Sequence, residues 1–472
     1  MIPLTLAEVA AATGGELIGG ADPDSVVTGS VEYDSRKVEP GGLFLALPGE
    51  NVDGHDFAAG AVAAGAVAVL ATRDVGVPAI LVTEPLVALG RLATAVLRRL
   101  PGLTVVGITG SSGKTSTKDL LGQLLAGHGE TVAPPGSLNN ELGHPYTVLR
   151  ATASTRYLVL EKSARGVGHI TALTEIAPPR IGAVLNVGVA HLGEFGDVAT
   201  IEKAKGELVE ALPPAADGGV AILNADDARV RGMAARTRAR VVLTGQGPDA
   251  DVRATDVSLD TAGRPSFVLA TAAGSVPVRL ALHGEHHVAN ALAAAAVALE
   301  LGMTLEHVGS ALAGAGVVSR RRMEVVERSD GITLVDDSYN ANPDSTAAAL
   351  RALRAMSAGR RTWAVLGYMA ELGPASRDEH DRIGRLVVRL GIDRLVVVGD
   401  EARPLHTGAL LEGSFGGESV HVPDQDAAIE LLAGELRPGD VVLVKGSRYR
   451  VWQVADALRE GQAGTGLREA AQ

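Results

Sequence analysis

Gly107-Ile-Thr-Gly110-Ser-Ser-Gly113-Lys114-Thr115-Ser-Thr117 is the stretch that decides how this chain is read. The apolar run Val105-Val-Gly-Ile leads into it, and Ser116-Thr-Lys-Asp-Leu-Leu-Gly-Gln-Leu-Leu125 follows with a helical pattern. The spacing therefore predicts a strand, a tight loop and a helix. Glycines at 110 and 113 let backbone N–H groups converge on one concavity, and the start of the helix adds positive potential. Lys114 is placed to reach the outer phosphates of a nucleotide, and Thr115 to ligate Mg2+. Gly110, Ser111, Ser112, Gly113, Lys114, Thr115 and Ser116 are thus the predicted phosphate-binding residues. The spacing departs from the strict G-x-x-x-x-G-K-S/T form, because Ile108 stands at the first glycine position. A plain glycine-rich turn is the competing reading.

Outward from the loop, Tyr157-Leu-Val-Leu, Ile181-Gly-Ala-Val-Leu and Val220-Ala-Ile-Leu are short apolar runs, mostly separated by helical patterns. Such runs predict a largely parallel sheet buried on both faces. Upstream, Leu43-Phe-Leu-Ala-Leu, Ala68-Val-Leu and Ala79-Ile-Leu-Val alternate with turn-rich segments and a helix, which reads as a small α/β unit. Downstream, Ile332-Thr-Leu-Val, Trp363-Ala-Val-Leu, Arg394-Leu-Val-Val-Val and Val441-Val-Leu-Val form a third, Rossmann-like α/β series. A chain of 472 residues exceeds one ordinary core. The expected division is 1–88, 89–319 and 320–472: a small N-terminal α/β unit, a central P-loop-type unit and a C-terminal α/β unit.

Composition narrows the function classes. A formal net charge of -12 and only 3% aromatic residues leave no basic footprint, so nucleic acid is not an expected partner. Cysteine is absent from the sequence, which removes thiol nucleophiles and thiolate metal sites and agrees with a cytoplasmic location. The N-terminus has no basic start ahead of an apolar run, and the Ala-rich stretches are too short or too interrupted to span a membrane. Small-molecule substrates and a monomeric state are expected.

Several polar residues sit at strand ends. Glu161 closes Leu158-Val-Leu-Glu, where a carboxylate beside a phosphate loop can ligate Mg2+, or simply cap or pair. His191 follows another strand end; an isolated histidine is more often packed or solvent-facing than a ligand. Lys205, in Glu202-Lys-Ala-Lys-Gly-Glu207, has the pattern of a solvated helix face.

The loop resembles that of the Mur ligase family, and further motifs extend the likeness over nearly the whole chain. They include Tyr33-Asp-Ser-Arg36, Pro40-Gly-Gly-Leu-Phe-Leu-Ala-Leu-Pro-Gly49, Asn139-Asn-Glu-Leu-Gly143 and Asn186-Val-Gly-Val-Ala-His191. Asp336-Asp-Ser-Tyr-Asn-Ala-Asn-Pro-Asp-Ser345 is similar to the segment of those members that add D-alanyl-D-alanine to a UDP-N-acetylmuramoyl tripeptide.

The resemblance implies ATP and Mg2+ as cofactors, an acyl-phosphate mechanism, a UDP-linked acyl peptide as the acid and a dipeptide as the amine. It implies a UDP-substrate role for the N-terminal unit through Ser35 and Arg36. It also implies Mg2+ ligation by Glu161 and His191, carbamylation of Lys205, adenine recognition by Asn290, and a phosphate clamp by Arg322. Asp337 and Asn340 become nucleotide contacts. Asn139, Asn140, Tyr339, Asn342, Lys445, Ser447 and Arg448 become neighbours of the acid or amine.

Three places depart from the family pattern: Glu161-Lys-Ser-Ala164, Gly367-Tyr-Met-Ala-Glu-Leu-Gly373, and Tyr449-Arg-Val-Trp452 after Lys445-Gly-Ser-Arg448. Lys162 and Tyr368 are therefore expected beside the acyl and amine sites. Two alternatives stay open: a related ligase joining another acid and amine in a specialised pathway, and a nucleotide-binding regulator without turnover.

Overall fold

The computed structural model describes residues 1–49, 52–134, 136–413, 417–447 and 450–460. Three sheets with helices packed on their faces carry most of the chain. The first runs, in spatial order, through Glu16–Ile18, Ala79–Leu81, Ala68–Ala71, Leu43–Leu45 and Val31–Glu32, parallel except at its first pair. Helix Pro85–Arg98 packs Leu89, Leu92, Ala93 and Val96 into the same core as Leu43, Leu70 and Ile80. It runs across the expected division between 88 and 89.

The second sheet places Thr104–Thr109 between Ile181–Val184 and Tyr157–Glu161, all parallel. Val220–Asn224 and Arg240–Gly245 extend it on one side, followed by an antiparallel edge of Val252–Leu259, Pro265–Thr271 and Gly274–Arg279. Thr131–Val132 closes the other side. Period-two alternation explains why these strands read as continuous apolar runs. Val106, Ile108, Tyr157 and Val159 face helices Lys114–Ala126 and His287–Glu300, whereas Val105, Leu158 and Leu160 face the opposite layer with helix Pro85–Arg98. The alanines from 293 to 296 and at 298 are buried, so helix His287–Glu300 lies close against the sheet.

The third sheet is ordered Glu324–Glu327, Thr333–Asp336, Val441–Lys445, Thr362–Leu366, Arg394–Val398 and Ser419–Val422, with only the first pair antiparallel. In parallel sheets the loops at the carboxyl ends of the strands collect ligands. Here those loops from the second and third sheets face one another. Val189 N–H donates to Asp344 Oδ2 at 3.1 Å, and Gly193 N–H to the Glu371 carbonyl at 2.9 Å.

Candidate active site

Between the two sheets lies a cleft of about 820 Å³. The loop from Gly110 to Gly113 forms one wall because two of its glycines adopt backbone that side chains resist. Gly110 has φ 159° and Gly113 has φ 82°, and a Cβ on Gly113 would come within 2.4 Å of Asn290 Oδ1. The Asn186 side chain locks the loop, with Ser112 N–H donating to Asn186 Oδ1 at 2.9 Å and Asn186 Nδ2 donating to the Ser112 carbonyl at 3.2 Å. Behind it, Thr117 Oγ1 donates to Asn290 Oδ1 at 3.3 Å.

Lys114 Nζ reaches back to the Gly110 carbonyl at 2.6 Å. The side chain is partly open to the cleft, but its surroundings desolvate the amine and push its pKa down to about 8; Glu161 pulls it up and Arg322 pushes it down. A polyphosphate would favour the charged form further.

Glu161 lies just under the cleft floor. Its Oε2 accepts from Thr115 Oγ1 at 3.2 Å, Ser137 Oγ at 3.0 Å and Asn139 Nδ2 at 3.2 Å. Its Oε1 is buried without a hydrogen-bond partner, with Lys118 Nζ 4.0 Å away. A buried carboxylate oxygen with no donor, beside a threonine hydroxyl, is a hard-oxygen set suited to Mg2+. The residues fit the ion.

His191 has left-handed backbone (φ 62°), and its Nδ1 pairs with the Glu371 carboxylate from the third sheet's loops. Ligand atoms of His191, Glu194 and Glu371 lie within 4.8 Å of one another, a second place where a cation could sit. Lys205 is buried, contrary to the solvated face its spacing suggested, and burial together with Lys114 holds its pKa well below the ordinary lysine range.

The opposite wall comes from the third sheet. Arg322 Nη2 reaches Thr115 Oγ1 at 3.4 Å, and its guanidinium lies 4.1 Å from the centre of the Tyr339 ring. Asp337 accepts from Met323 N–H at 3.2 Å and from Lys445 Nζ at 2.5 Å. Lys445 also donates to the Asn340 carbonyl at 2.9 Å, and Ser447 Oγ to Asn340 Oδ1 at 2.6 Å. Asn342 lines the cleft too, but its amide oxygen caps helix Pro343–Met356 through Ser345 N–H at 2.8 Å.

The structure thus gathers Ser111 to Ser116, Asn139, Asn140, His191, Asn290, Arg322, Asp337, Tyr339, Asn340, Asn342, Lys445 and Ser447 around one cleft. Other expected positions lie elsewhere. Ser35 and Arg36 are outside this cleft, with Arg36 exposed and paired to Asp34 at 2.9 Å. Arg448 and Tyr449 lie outside the described residues.

Two expectations are corrected. Lys162 is fully buried, and its Nζ donates to the carbonyls of Leu173 at 3.0 Å and Ala177 at 3.3 Å beside His144. It follows Glu161, and neighbours along a strand point to opposite faces, so it leaves the cleft altogether. Tyr368 stacks on His380 with ring centres 5.0 Å apart and does not line the cleft. Trp452, from the third departure, lies under the Arg321 guanidinium at 4.7 Å.

Residues without a sequence-derived role also join the site: Ser137 on Glu161, Glu371 on His191, and Arg165, His169, His286 and His287 in the lining. Only Glu371 had a signal, its place in Gly367-Tyr-Met-Ala-Glu-Leu-Gly373.

A nucleotide loop facing an arginine and a lysine from a second α/β unit defines a two-sided phosphoryl-transfer site. The family comparison agrees: residues 28–96 match the Mur ligase family catalytic domain, 108–298 the Mur ligase middle domain, and 321–448 the Mur ligase glutamate ligase domain. This chain belongs to the Mur ligase family. It is 54% identical to the UDP-N-acetylmuramoyl-tripeptide--D-alanyl-D-alanine ligase of Mycobacterium tuberculosis, covering 97% of this chain and 98% of the relative. The crystal structure of MurF from Acinetobacter baumannii matches with a TM-score of 0.85 at 33% identity, over 97% of this chain and 99% of that one. MurF ligase from Thermotoga maritima, solved in complex with ADP, matches with a TM-score of 0.77 at 29% identity, over 92% and 98%.

Proposed function

We propose that this chain is an ATP-dependent, ADP-forming peptide ligase that adds D-alanyl-D-alanine to a UDP-N-acetylmuramoyl tripeptide in the synthesis of peptidoglycan precursors. The observation that carries this reading is the contact of Arg322 with Thr115, which brings a cation of the third unit onto the phosphate loop. The likeness to relatives of that activity along almost the full length supports the substrate pair. Lys162 and Tyr368, which had suggested another pair, lie off the cleft and give no support to altered specificity.

In this reading the unit up to helix Pro85–Arg98 takes the UDP-linked acid, the central unit takes ATP, and the unit from Arg320 takes the amine. An oxygen of the tripeptide carboxylate attacks the γ-phosphorus, the bond to the bridging oxygen breaks, and ADP leaves. Lys114 and Arg322 offset the charge on the transferring group. The neutral amine of the dipeptide then attacks the acyl carbon; phosphate leaves from the tetrahedral intermediate, and the nitrogen gives up its proton. Closure of the third unit keeps water from the acyl phosphate. Thr115 and Glu161 would hold Mg2+, which when bound supplies positive charge to the phosphate oxygens, with His191 as the ligand of a second ion.

Lys205 is a candidate for carbamylation: burial and Lys114 lower its pKa, which favours the deprotonated amine that adds CO2, and the resulting N-carboxylate would be an anion near Lys114. Lys205→Ala should lose turnover and regain part of it with added acetate. ATP and a nucleotide-linked sugar as substrates support a cytoplasmic location.

The deciding measurement is ATP-dependent phosphate release with UDP-N-acetylmuramoyl tripeptide and D-alanyl-D-alanine together. Release needing both is expected. Release only with another acid or amine would overturn the substrate assignment, and no release with any pair would overturn the ligase itself.

A further inference from the structure

One face of the phosphate-loop helix grips the linker that leads to the third unit. Thr115, Asp119 and Gln123 stand one turn apart on helix Lys114–Ala126. Gln123 makes a reciprocal pair with Gly316, its Oε1 accepting from the Gly316 N–H and its Nε2 donating to the Gly316 carbonyl, both at 3.0 Å. Asp119 Oδ2 accepts from Ser319 N–H at 3.1 Å. Arg322 completes the series on Thr115. Each helical turn of four residues is therefore matched by three residues of linker, running in the opposite direction.

The match is not automatic. A helical turn of four residues rises about 6 Å, whereas three extended residues span about 10 Å. The linker has to be shortened. Left-handed backbone at Arg321 (φ 61°) contributes that shortening at its far end, and Met323 (φ 53°), just past Arg322, adopts the same conformation. Such conformations are disfavoured for side-chain-bearing residues and persist only when held from several sides. Glu324 accepts from Arg321 N–H at 3.2 Å, and Asp337 from Met323 N–H at 3.2 Å. Ser319 is also fixed through its hydroxyl, which accepts from Gly136 N–H at 2.8 Å.

We propose that the helix face Thr115–Asp119–Gln123 is a rail that sets the register of the linker 316–322, making Asp119 and Gln123 positioning residues for Arg322. Neither side chain lines the cleft. Their effect is transmitted by the linker: a slip of one residue would move Arg322 by about 3 Å and turn its side chain aside. Because the rail is the helix that also ends the phosphate loop, binding at the loop and closure of the third unit share one rigid element.

The kinetic arm of the test rests on turnover as a ligase, whereas a labelling arm needs only nucleotide binding. Asp119→Ala and Gln123→Ala should each lower kcat on the order of ten- to a hundredfold, while ADP binding to the loop stays near that of the parent. Asp119→Asn keeps an acceptor for Ser319 N–H and should retain most of the activity, although it removes the charge opposite Lys118 as fully as alanine does. In an Arg322→Ala background Asp119→Ala should cost little more; a full additional loss would mean that Asp119 does not act through Arg322 and would overturn the proposal.

The chain has no cysteine, so Glu175→Cys with Asp378→Cys gives one labelled pair across the cleft. With an ATP analogue and Mg2+, the label distances should narrow in the parent pair and stay broad after Asp119→Ala with Gln123→Ala. Equal narrowing in both would overturn the rail. A parent protein that binds no ATP analogue would instead overturn the ligase reading.

Discussion

Lys445 donates to Asp337 across 2.5 Å, and both residues are buried, at 2% and 8% exposure. The pair joins the ends of two adjacent parallel strands, Val441–Lys445 and Thr333–Asp336. Burial pushes the Lys445 pKa down, and Asp337 holds part of it up. Breaking a buried pair from one side leaves an uncompensated charge, which typically costs about 3–5 kcal/mol. Asp337→Ala should therefore destabilise the protein strongly and stop turnover. Asp337→Ala with Lys445→Met should recover much of the stability but not the activity. Urea unfolding decides it: a double variant no more stable than the single one would show that the pair is not the source of the loss.

Glu161→Gln separates charge from shape. Glutamine can still accept from Thr115, Ser137 and Asn139, so the floor of the cleft should keep its form. What it lacks is the anionic Oε1, the atom left without a donor. The expected result is little change in unfolding midpoint and a Mg2+ requirement raised by more than about tenfold. Phosphate release measured across a Mg2+ titration reads this directly; an unchanged requirement would place the ion elsewhere.

Lys162 should affect stability and leave specificity alone. Its Nζ has three polar neighbours, the Leu173 and Ala177 carbonyls and His144 Nε2, all in the dry layer behind the sheet. Lys162→Ala removes a long buried side chain and orphans those groups, so a loss of about 2–5 kcal/mol is expected. The KM values for acid and amine should stay within about twofold of the parent, because a side chain on the far face of the sheet adds nothing to binding. A changed preference among acids in Lys162→Met would return this residue to the acyl site.

The same residue shows where the sequence stops being informative. The order of strands and helices was legible because buried parallel strands are apolar on both faces and the glycine loop has few other uses. Glu161 and Lys162 are adjacent in sequence, so proximity along the chain suggested one shared site. Period-two geometry sends them to opposite layers, which only an assigned strand reveals. The burial of Lys205 is hidden in the same way, because a charged alternation looks solvated until its helix is docked. The pairing of His191 with Glu371 joins residues from two sheets, and no local pattern encodes a partner that distant.

His286 should make the protein less stable in mild acid. Its ring lies 4.3 Å from that of His287, and in the lining of the cleft His287 is buried and His286 half-buried. Burial lowers the His286 pKa to about 4, with Asp337 raising it and Lys445 lowering it, while burial and then His286 keep His287 well below its ordinary value. The unfolded chain binds a proton on this histidine near its ordinary pKa of about 6.5. Between about pH 6.5 and 4 the unfolded state therefore holds more protons than the folded one, so stability falls as pH falls. The contribution is complete above about pH 6.5 and is lost downward through that window, on the order of 1 to 3 kcal/mol for this one group. His286→Gln removes the proton-binding site and should flatten the decline by about one proton's slope, leaving the share that His287 contributes. Urea unfolding of parent and variant at about pH 7 and about pH 4.5 provides the comparison. A variant that loses as much stability as the parent between the two would show that His286 is not held neutral by the folded chain.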